Sequence, residues 1–240
     1  MSKFVIEDSF WNLFPQAEIG IVLAKGIDNT EKGAGAGAVR SDILKLLQAG
    51  NEDARKYLTA ETFSENPVIA VWREAYRRFK TKKGARSSVE NLLKRVEKDN
   101  AVGAINPLVD IYNAVSLRCG LPCGGEDLDA FRGDLRLTVT EGGDGFRALG
   151  DEKDDDTLPG EVCYLDDAGA VCRCWNWRDG QRTMLTEATK NAFLIVESVD
   201  PTRSEDLKEA LSMLADRTRQ YLGGTADTTV LDRNNCQVDL

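Results

Sequence analysis

The stretch NPLVDIYNAVSLRCG, residues 106–120, carries the most consistent local structural signals in the chain. Asn106 is a typical N-cap, and Pro107 fits the first helical position, where its missing N–H breaks no hydrogen bond. Gly120 is a typical C-terminal stop, because glycine enters the left-handed conformation without strain. The stretch therefore predicts a helix from Pro107 to about Gly120, and the other elements are assigned outward from it.

Helical and strand patterns surround this helix in blocks. Apolar periodicity and capping residues predict further helices at about residues 40–58, 67–79, 88–96 and 204–222. Alternating or continuous apolar runs predict strands at residues 4–6, 19–24, 135–140, 161–164, 170–175 and 192–199. This order predicts an α+β fold: one domain, residues 1–224, with a largely antiparallel sheet and flanking helices packed to one side. Residues 225–240 are expected to form a polar C-terminal tail.

Composition excludes several classes of function. The chain has 240 residues, a net charge of −9 and no histidine. Without histidine, Ser/His/Asp and Cys/His nucleophile systems are excluded. The acidic balance argues against indiscriminate nucleic-acid binding, so we expect no DNA partner and only local RNA contacts. No apolar run approaches the ~20 residues of a membrane-spanning helix, and Met1–Asp8 has no signal-peptide pattern. We therefore expect a cytoplasmic protein without a membrane partner.

The sequence has no recognisable metal or cofactor motif. Cys119/Cys123 and Cys172/Cys174 lack the CxxC spacing of a zinc half-site. We expect reduced thiols, no metal site and no cofactor. The Gly/Ala run at residues 33–38 lacks the lysine of a phosphate-binding loop, so it is predicted to be a surface loop.

A basic cluster interrupts the acidic chain between two predicted helices. Trp72, Tyr76 and Phe79 share one helix face there and are expected in the core. The cations then face solvent, where they either form an ordinary solvated surface or contact RNA phosphates; both interpretations remain open. The candidate RNA-binding residues are Arg73, Arg77, Arg78, Lys80, Lys82, Lys83 and Arg86.

Aromatic, amide and charged side chains are concentrated between Trp175 and Thr183. Such a set can orient an amino acid, because a carboxylate binds its ammonium group, an amide its carbonyl and aromatic walls its side chain. An ordinary hairpin with its turn at Asp179-Gly180 explains the same residues. The candidate substrate-binding residues here are Asn176, Trp177, Arg178, Asp179 and Thr183.

Other candidate substrate-binding residues lie on separate elements. Asn106 and Asn113 share one helix face and point either to a pocket or to a cap and solvent. Asp134 and Arg136 share a strand face, where an ion pair is the alternative to substrate contact. Asn191 stands at a predicted strand entry and is included as a supporting group. No catalytic residue is assigned.

Short motifs follow one another in a specific order along the chain. They are Asn106-Pro107-Leu108-Val109-Asp110, Leu121-Pro122, Gly133-Asp134-Leu135-Arg136-Leu137, Pro159-Gly160-Glu161-Val162 and Trp175-Asn176-Trp177-Arg178-Asp179-Gly180. In this order they resemble the B3/B4 domain, the editing domain of the phenylalanyl-tRNA synthetase beta subunit, and look closest to freestanding proteins of this type. The similarity spans roughly Phe4 to Leu222.

The resemblance implies a tRNA-binding protein, and its expected partner is tRNA or an aminoacyl-tRNA. It further implies a trans-acting deacylase that hydrolyses a mischarged aminoacyl ester with a positioned water. The alternatives are a non-catalytic module for an amino acid-like small molecule or tRNA, and an interaction protein that assembles through the helix at 204–222. The histidine and glutamate of the synthetase pocket fall near Gly124 and near Gly180-Gln181, so this chain departs from that pattern.

Overall fold

The computed structural model describes residues 2–31 and 36–240. Its α-helices are α1 (Asp8–Leu13), α2 (Ala36–Asp53), α3 (Pro67–Tyr76), α4 (Ser88–Glu97), α5 (Pro107–Cys119) and α6 (Ser204–Leu222). Its strands are β1 (Lys3–Ile6), β2 (Glu18–Lys25), β3 (Cys123–Asp127), β4 (Leu135–Val139), β5 (Val162–Asp166), β6 (Gly169–Arg173), β7 (Arg178–Asp179), β8 (Asn191–Ser198), β9 (Thr225–Leu231) and β10 (Gln237–Asp239). The α+β class expected from the sequence is confirmed.

Helix α5 is the most enclosed helix of the fold, and its two ends are the predicted ones. The Asn106 side chain accepts a hydrogen bond from the backbone N–H of Val109 at 3.0 Å, as an N-cap does. Gly120 ends the helix in the left-handed conformation, with φ of 60°. Nearly every residue between these ends is buried. Local sequence signals therefore fix the position of the segment on which the neighbouring elements pack.

The strands form two sheets that pack face to face. One sheet has the order β10-β1-β4-β5-β6-β7 and the other has the order β3-β8-β2-β9. Every named pair is antiparallel except β1 with β4. Phe4 of β1 meets Phe193 of β8 across the interface, with ring centroids 5.1 Å apart. Both rings belong to the larger of the two main apolar cores.

The second core lies on the opposite face of the four-stranded sheet, under α5 and α6. Val22 and Leu194 of the sheet pack there with Leu207 and Leu211 of α6. A β-carbon at Gly20 would lie 3.0 Å from Leu211, so the glycine lets this helix approach closely. The apolar face of α6 is thus occupied by its own fold. No helix of the described residues is long and apolar enough to cross a membrane.

The C-terminal residues differ from the expected polar tail. Residues 225–231 form β9, which pairs with β2 from Lys25↔Thr225 to Ile19↔Leu231. Residues 237–239 form β10, which pairs with β1. Threonine and valine favour strands even where one face of the strand is polar. The polar composition of residues 225–240 therefore predicted a tail where the structure has two strands. Residues 33–35 of the predicted Gly/Ala loop lie outside the described residues, and α2 begins at Ala36.

Candidate functional site

A cavity of about 70 Å³ lies between the two sheets. This volume is several times the roughly 10–15 Å³ that a single water needs. Side chains alternate along a strand, so Phe193, Ile195 and Glu197 of β8 all face the cavity. The complete lining is Ser88, Cys123, Gly124, Gly125, Glu126, Leu135, Tyr164, Val171, Cys172, Asn176, Trp177, Asp179, Phe193, Ile195 and Glu197.

The two glycines of β3 help to shape the cavity. A β-carbon at Gly125 would lie 2.6 Å from the Leu194 side chain, so this position is closed to larger residues. A β-carbon at Gly124 would meet only the Ile195 side chain, at 3.6 Å, which is an ordinary contact. Gly124 therefore leaves space that a larger side chain would fill, and it offers a way to block the cavity by substitution.

Glu197 is fully buried and is surrounded by hydrogen-bond donors. The indole Nε1–H of Trp175 donates to its Oε1 at 2.6 Å. The Tyr164 hydroxyl donates to the same oxygen, and Asn176 Nδ2 donates to Oε2. Burial raises the pKa of Glu197 to about 7, although these three hydrogen bonds act in the opposite direction. The carboxyl group therefore acts as an anchor for three side chains of the opposite sheet and its turn.

Asn176 connects this carboxyl group to two helices. Its Oδ1 accepts from the backbone N–H of Ser88, at 3.2 Å, and lies 3.0 Å from the Tyr76 hydroxyl. The amide orientation is therefore fixed from both ends. The turn that carries it is strained, because Cys174 and Trp175 have φ of 45° and 63° without being glycine. The hairpin turn thus lies at Cys174 to Trp177, and its prediction at Asp179-Gly180 is wrong.

Glu126 is buried in the cavity wall and has no hydrogen-bond donor. Glu126 is 6% exposed, and neither of its carboxylate oxygens has a hydrogen-bond partner among residues 2–31 and 36–240. The hydroxyl oxygen of Thr183 is also buried without a partner in the described structure. Burial, together with the nearby charge of Asp179, raises the pKa of Glu126 well above its ordinary value. Such a group is costly to keep in a fold unless something binds to it.

Asp179 contributes the third carboxyl group of the cavity, and it is the only one of the three residues that is half-buried and not fully buried. Burial raises its pKa above the ordinary value. No lysine or arginine lines the cavity in the part of the chain that the structure describes. In the same part of the chain, no group of three histidine, cysteine, aspartate or glutamate side chains is arranged to hold a metal ion. The described lining of the cavity is therefore acidic.

Comparison with known proteins identifies the family. The family model described as the B3/4 domain matches residues 71–226. The chain belongs to the B3/4 domain family. A solved structure of an N-terminal fragment of the phenylalanyl-tRNA synthetase beta-subunit from Pyrococcus horikoshii is similar, with a TM-score of 0.48 and 13% identity. The similarity covers 93% of this chain and 49% of that fragment, so the chain spans about half of its length. No curated protein matches the sequence.

The B3/4 region contains every residue that lines the cavity. Of the candidates predicted between Trp175 and Thr183, Asn176, Trp177 and Asp179 lie in the lining. Thr183 is fully buried and lies one residue before Met184, which forms an isolated β-bridge with Glu126. Arg178 points outward, where its guanidinium binds Asp151 at 3.0 Å. The aromatic and acidic candidates are thus brought together, and the cationic one is not.

The candidates on other elements lie away from the cavity lining of the B3/4 domain. Asn106 caps α5, and Asn113 is buried in α5 without lining the cavity. Asp134 accepts from the backbone N–H of Lys3 at 2.8 Å, and Asn191 binds Asp129. The Arg136 guanidinium lies 4.0 Å from a carboxylate oxygen of Glu7 and 3.7 Å from one of Asp167. Arg136 therefore pairs with these residues, and the alternative prediction of an ion pair between Arg136 and Asp134 is wrong.

The basic cluster forms an open groove beside the cavity, and acidic side chains neutralise part of it. Arg73 binds the buried Glu90 at 2.7 Å, Arg77 binds Glu74 at 3.0 Å, and Lys82 pairs with Asp155. The groove is lined by Trp72, Arg73, Tyr76, Arg77, Thr81, Gly84, Ala85, Arg86, Ser87 and Glu90. Arg78 contacts the carbonyl of Leu13, while Lys80 and Lys83 form no salt bridge with the described residues. As expected, Trp72 and Tyr76 are buried in the core.

Proposed function

We propose that this protein is a trans-acting deacylase that binds an aminoacyl-tRNA and hydrolyses its ester bond. The observation that carries the proposal is the cavity between the sheets, where hydrogen bonds hold Asn176 in place and the half-buried Asp179 lines the same cavity. Membership of the B3/4 domain family supports the same class of substrate. The aminoacyl group enters the cavity, and the tRNA end remains outside it.

The chemistry needs a water molecule rather than a protein nucleophile. A carboxylate with free lone pairs accepts a hydrogen bond from water and orients its oxygen towards the ester carbonyl carbon. Glu197 has its oxygens occupied by three donors, and Glu126 is buried with a pKa well above its ordinary value, so Asp179, the most accessible of the three residues, takes this role. The water oxygen forms the new C–O bond, the bond to the ribose oxygen breaks, and the proton from water passes to that oxygen. The products are a free amino acid and an uncharged tRNA.

The basic groove provides a site for the tRNA backbone next to this cavity. Tyr76 lines the groove, and its hydroxyl contacts Asn176 on the cavity side, so the two features share a wall. Arg86 lies exposed in the groove and forms no salt bridge with the described residues, so its guanidinium is available to phosphate. A local basic patch on an acidic protein favours a defined docking position over indiscriminate binding.

A deacylation panel tests the proposal. The full chain is mixed with correctly charged and mischarged radiolabelled tRNAs, and the loss of label is followed against a control without protein. We expect at least one tRNA to be deacylated faster than the control. Asp179→Asn should lower that rate by roughly 100-fold or more, as loss of a positioned general base does. Gly124→Leu should abolish it by filling the cavity.

Arg178→Ala is the matched control, because Arg178 is adjacent in sequence to Asp179 but points away from the cavity. It should leave the rate within twofold of the unsubstituted protein, which is about 0.4 kcal/mol. A panel in which no aminoacyl-tRNA loses its label faster than the control overturns the proposal.

The second candidate function is a binding module that holds an amino acid-like molecule without turnover. It is favoured by the neutralisation of Arg73, Arg77 and Lys82, which reduces the charge available to tRNA phosphates. Saturable binding of an amino acid, together with no hydrolysis in the panel, selects this candidate.

A further inference from the structure

Glu126 is the one cavity carboxyl group that the proposed chemistry leaves unused. Glu197 anchors Tyr164, Trp175 and Asn176, and Asp179 is assigned to the attacking water. Glu126 has neither role. It lies on β3, two residues after the open position Gly124, and lines the same cavity.

The surroundings of Glu126 compensate its charge only weakly: the Thr183 hydroxyl and the Arg182 charge lower its pKa, but burial outweighs them and the pKa is raised. Neither oxygen accepts a hydrogen bond from any described residue, and Glu126 forms no salt bridge with them. A buried carboxylate without a partner costs several kcal/mol relative to water, and a protonated one still loses its hydrogen bonds. Packing does not explain the residue either, since a leucine of similar size would fill the same place without that cost. The position is therefore better suited to a ligand than to the fold.

The charge of the cavity decides the kind of ligand group. Carboxyl groups come from β3, β7 and β8, and the described lining contains no lysine or arginine. An anionic ligand would add a like charge to this set, and a neutral apolar ligand would leave Glu126 unpaired. Metal ions require several ligands arranged around one point, and no such group exists among the described residues. A neutral polar ligand would supply hydrogen bonds but would leave the charge of the carboxylate uncompensated, whereas an organic cation supplies both.

The rest of the lining suits the uncharged part of such a molecule. Leu135, Val171, Phe193 and Ile195 provide apolar walls between the two sheets. Aliphatic stems of lysine and arginine side chains pack against surfaces of this kind while their charged ends reach a polar partner. The cavity therefore combines an apolar wall with one carboxylate that is free to pair.

We propose that Glu126 selects ligands with a cationic side chain, so that the substrate of this protein carries a basic aminoacyl group of the lysine or arginine type. This inference rests on the proposed function for the link to aminoacyl esters, but the recognition step is independent of hydrolysis. Glu126 holds the side-chain cation, while the α-ammonium group and the ester lie near Asp179.

The test measures binding of free amino acids to the full chain by isothermal titration calorimetry, without tRNA and without an ester. Two pairs match in length and differ in side-chain charge: lysine with norleucine, and arginine with citrulline. We expect the cationic member of at least one pair to bind roughly 30-fold more tightly or better, as expected for a desolvated charge pair. Glu126→Gln should remove this difference, because the amide keeps the shape and loses the charge.

Glu126→Gln should also fold, because it removes an unpaired buried carboxyl group, and an unchanged or raised melting temperature verifies this. Equal affinities within both pairs, no saturable binding of any of the four amino acids, or unchanged selectivity in Glu126→Gln would each overturn the inference. Failure here is separable from failure of the proposed function. Hydrolysis of tRNA charged with a neutral amino acid would support the deacylase proposal and not the role of Glu126. Cation-selective binding without hydrolysis would support the role of Glu126 and not the deacylase proposal.

Discussion

At the scale of single residues, the state of Glu197 links the stability of the fold to pH. The carboxyl group has no contact with solvent, and its pKa is raised from 4.5 to about 7. A carboxyl group with a higher pKa in the folded state binds its proton more tightly there than in the unfolded chain. Its contribution to stability is therefore complete below pH 4.5 and is lost as pH rises through about 7.

We expect the free energy of unfolding to fall as pH rises from about 5 to about 8, by no more than roughly 3 kcal/mol from this residue. Glu197→Gln should flatten that fall without abolishing it, since the pKa values of Glu126 and Asp179 are also raised. Urea denaturation of both proteins across this range measures the effect. A slope that is the same in both proteins would show that Glu197 does not bind the proton.

The sequence allowed part of this site to be predicted. Asn176, Trp177 and Asp179 stand out because they are polar or aromatic residues clustered after an apolar strand. Glu197 was missed, although it continues the alternation of Phe193 and Ile195 and is therefore a carboxyl group on a buried strand face. Glu126 had no comparable signal, because Gly124 and Gly125 make its strand resemble a loop.

At the scale of elements, the end of α5 depends on one glycine. Gly120 has φ of 60°, and a β-carbon there would lie 2.8 Å from the Tyr57 ring. The Tyr57 hydroxyl in turn donates to the carbonyl of Arg118 at 2.9 Å, so the ring cannot move away without losing this bond. The helix end and the ring are therefore locked together.

Gly120→Ala should lower the free energy of unfolding by about 2–3 kcal/mol, from left-handed strain and from the displaced ring. Gly103→Ala is the matched control, because a β-carbon at Gly103 meets no atom within 4 Å. Chemical denaturation of both variants gives the comparison. Equal stability of the two variants would contradict the proposed lock.

Elements with strong local signals were predicted well, and elements defined by their partners were not. Helices α4 and α5 begin at residues 88 and 107, directly after the predicted N-cap residues Ser87 and Asn106. Strand β3 has the sequence CGGED, which no strand propensity favours, and it exists because its backbone pairs with β8 over five residues. Pairing of this kind is a tertiary effect that local patterns do not encode.

At the scale of the whole molecule, the last residues join the two sheets. β9 extends the four-stranded sheet, where Ala226 and Leu231 are buried, and β10 extends the six-stranded one. A mobile tail would contribute nothing to stability. A segment that pairs with both β1 and β2 contributes backbone hydrogen bonds and apolar burial in two places.

Deletion of residues 225–240 should therefore cost several kcal/mol, which is a large share of the 5–15 kcal/mol typical of a folded domain. We expect the shortened chain to be largely unfolded or aggregated, as judged by circular dichroism and size-exclusion chromatography. Deletion of residues 233–240 alone should be milder, because β9 keeps its full pairing with β2. A shortened chain as stable as the full one would restore the interpretation of a free tail.

The pairing of β1 with β10 also constrains the order in which the protein folds. Lys3 pairs with Asp239, whereas β4 and β5 are joined at Val139↔Val162. Closing a loop about ten times longer costs roughly 2 kcal/mol more in chain entropy. The β4–β5 pair can therefore form early. The β1–β10 pair forms after the residues between these two strands have folded and brought the strands close to each other. Amide hydrogens of β10 should accordingly be among the last to gain protection from exchange during refolding.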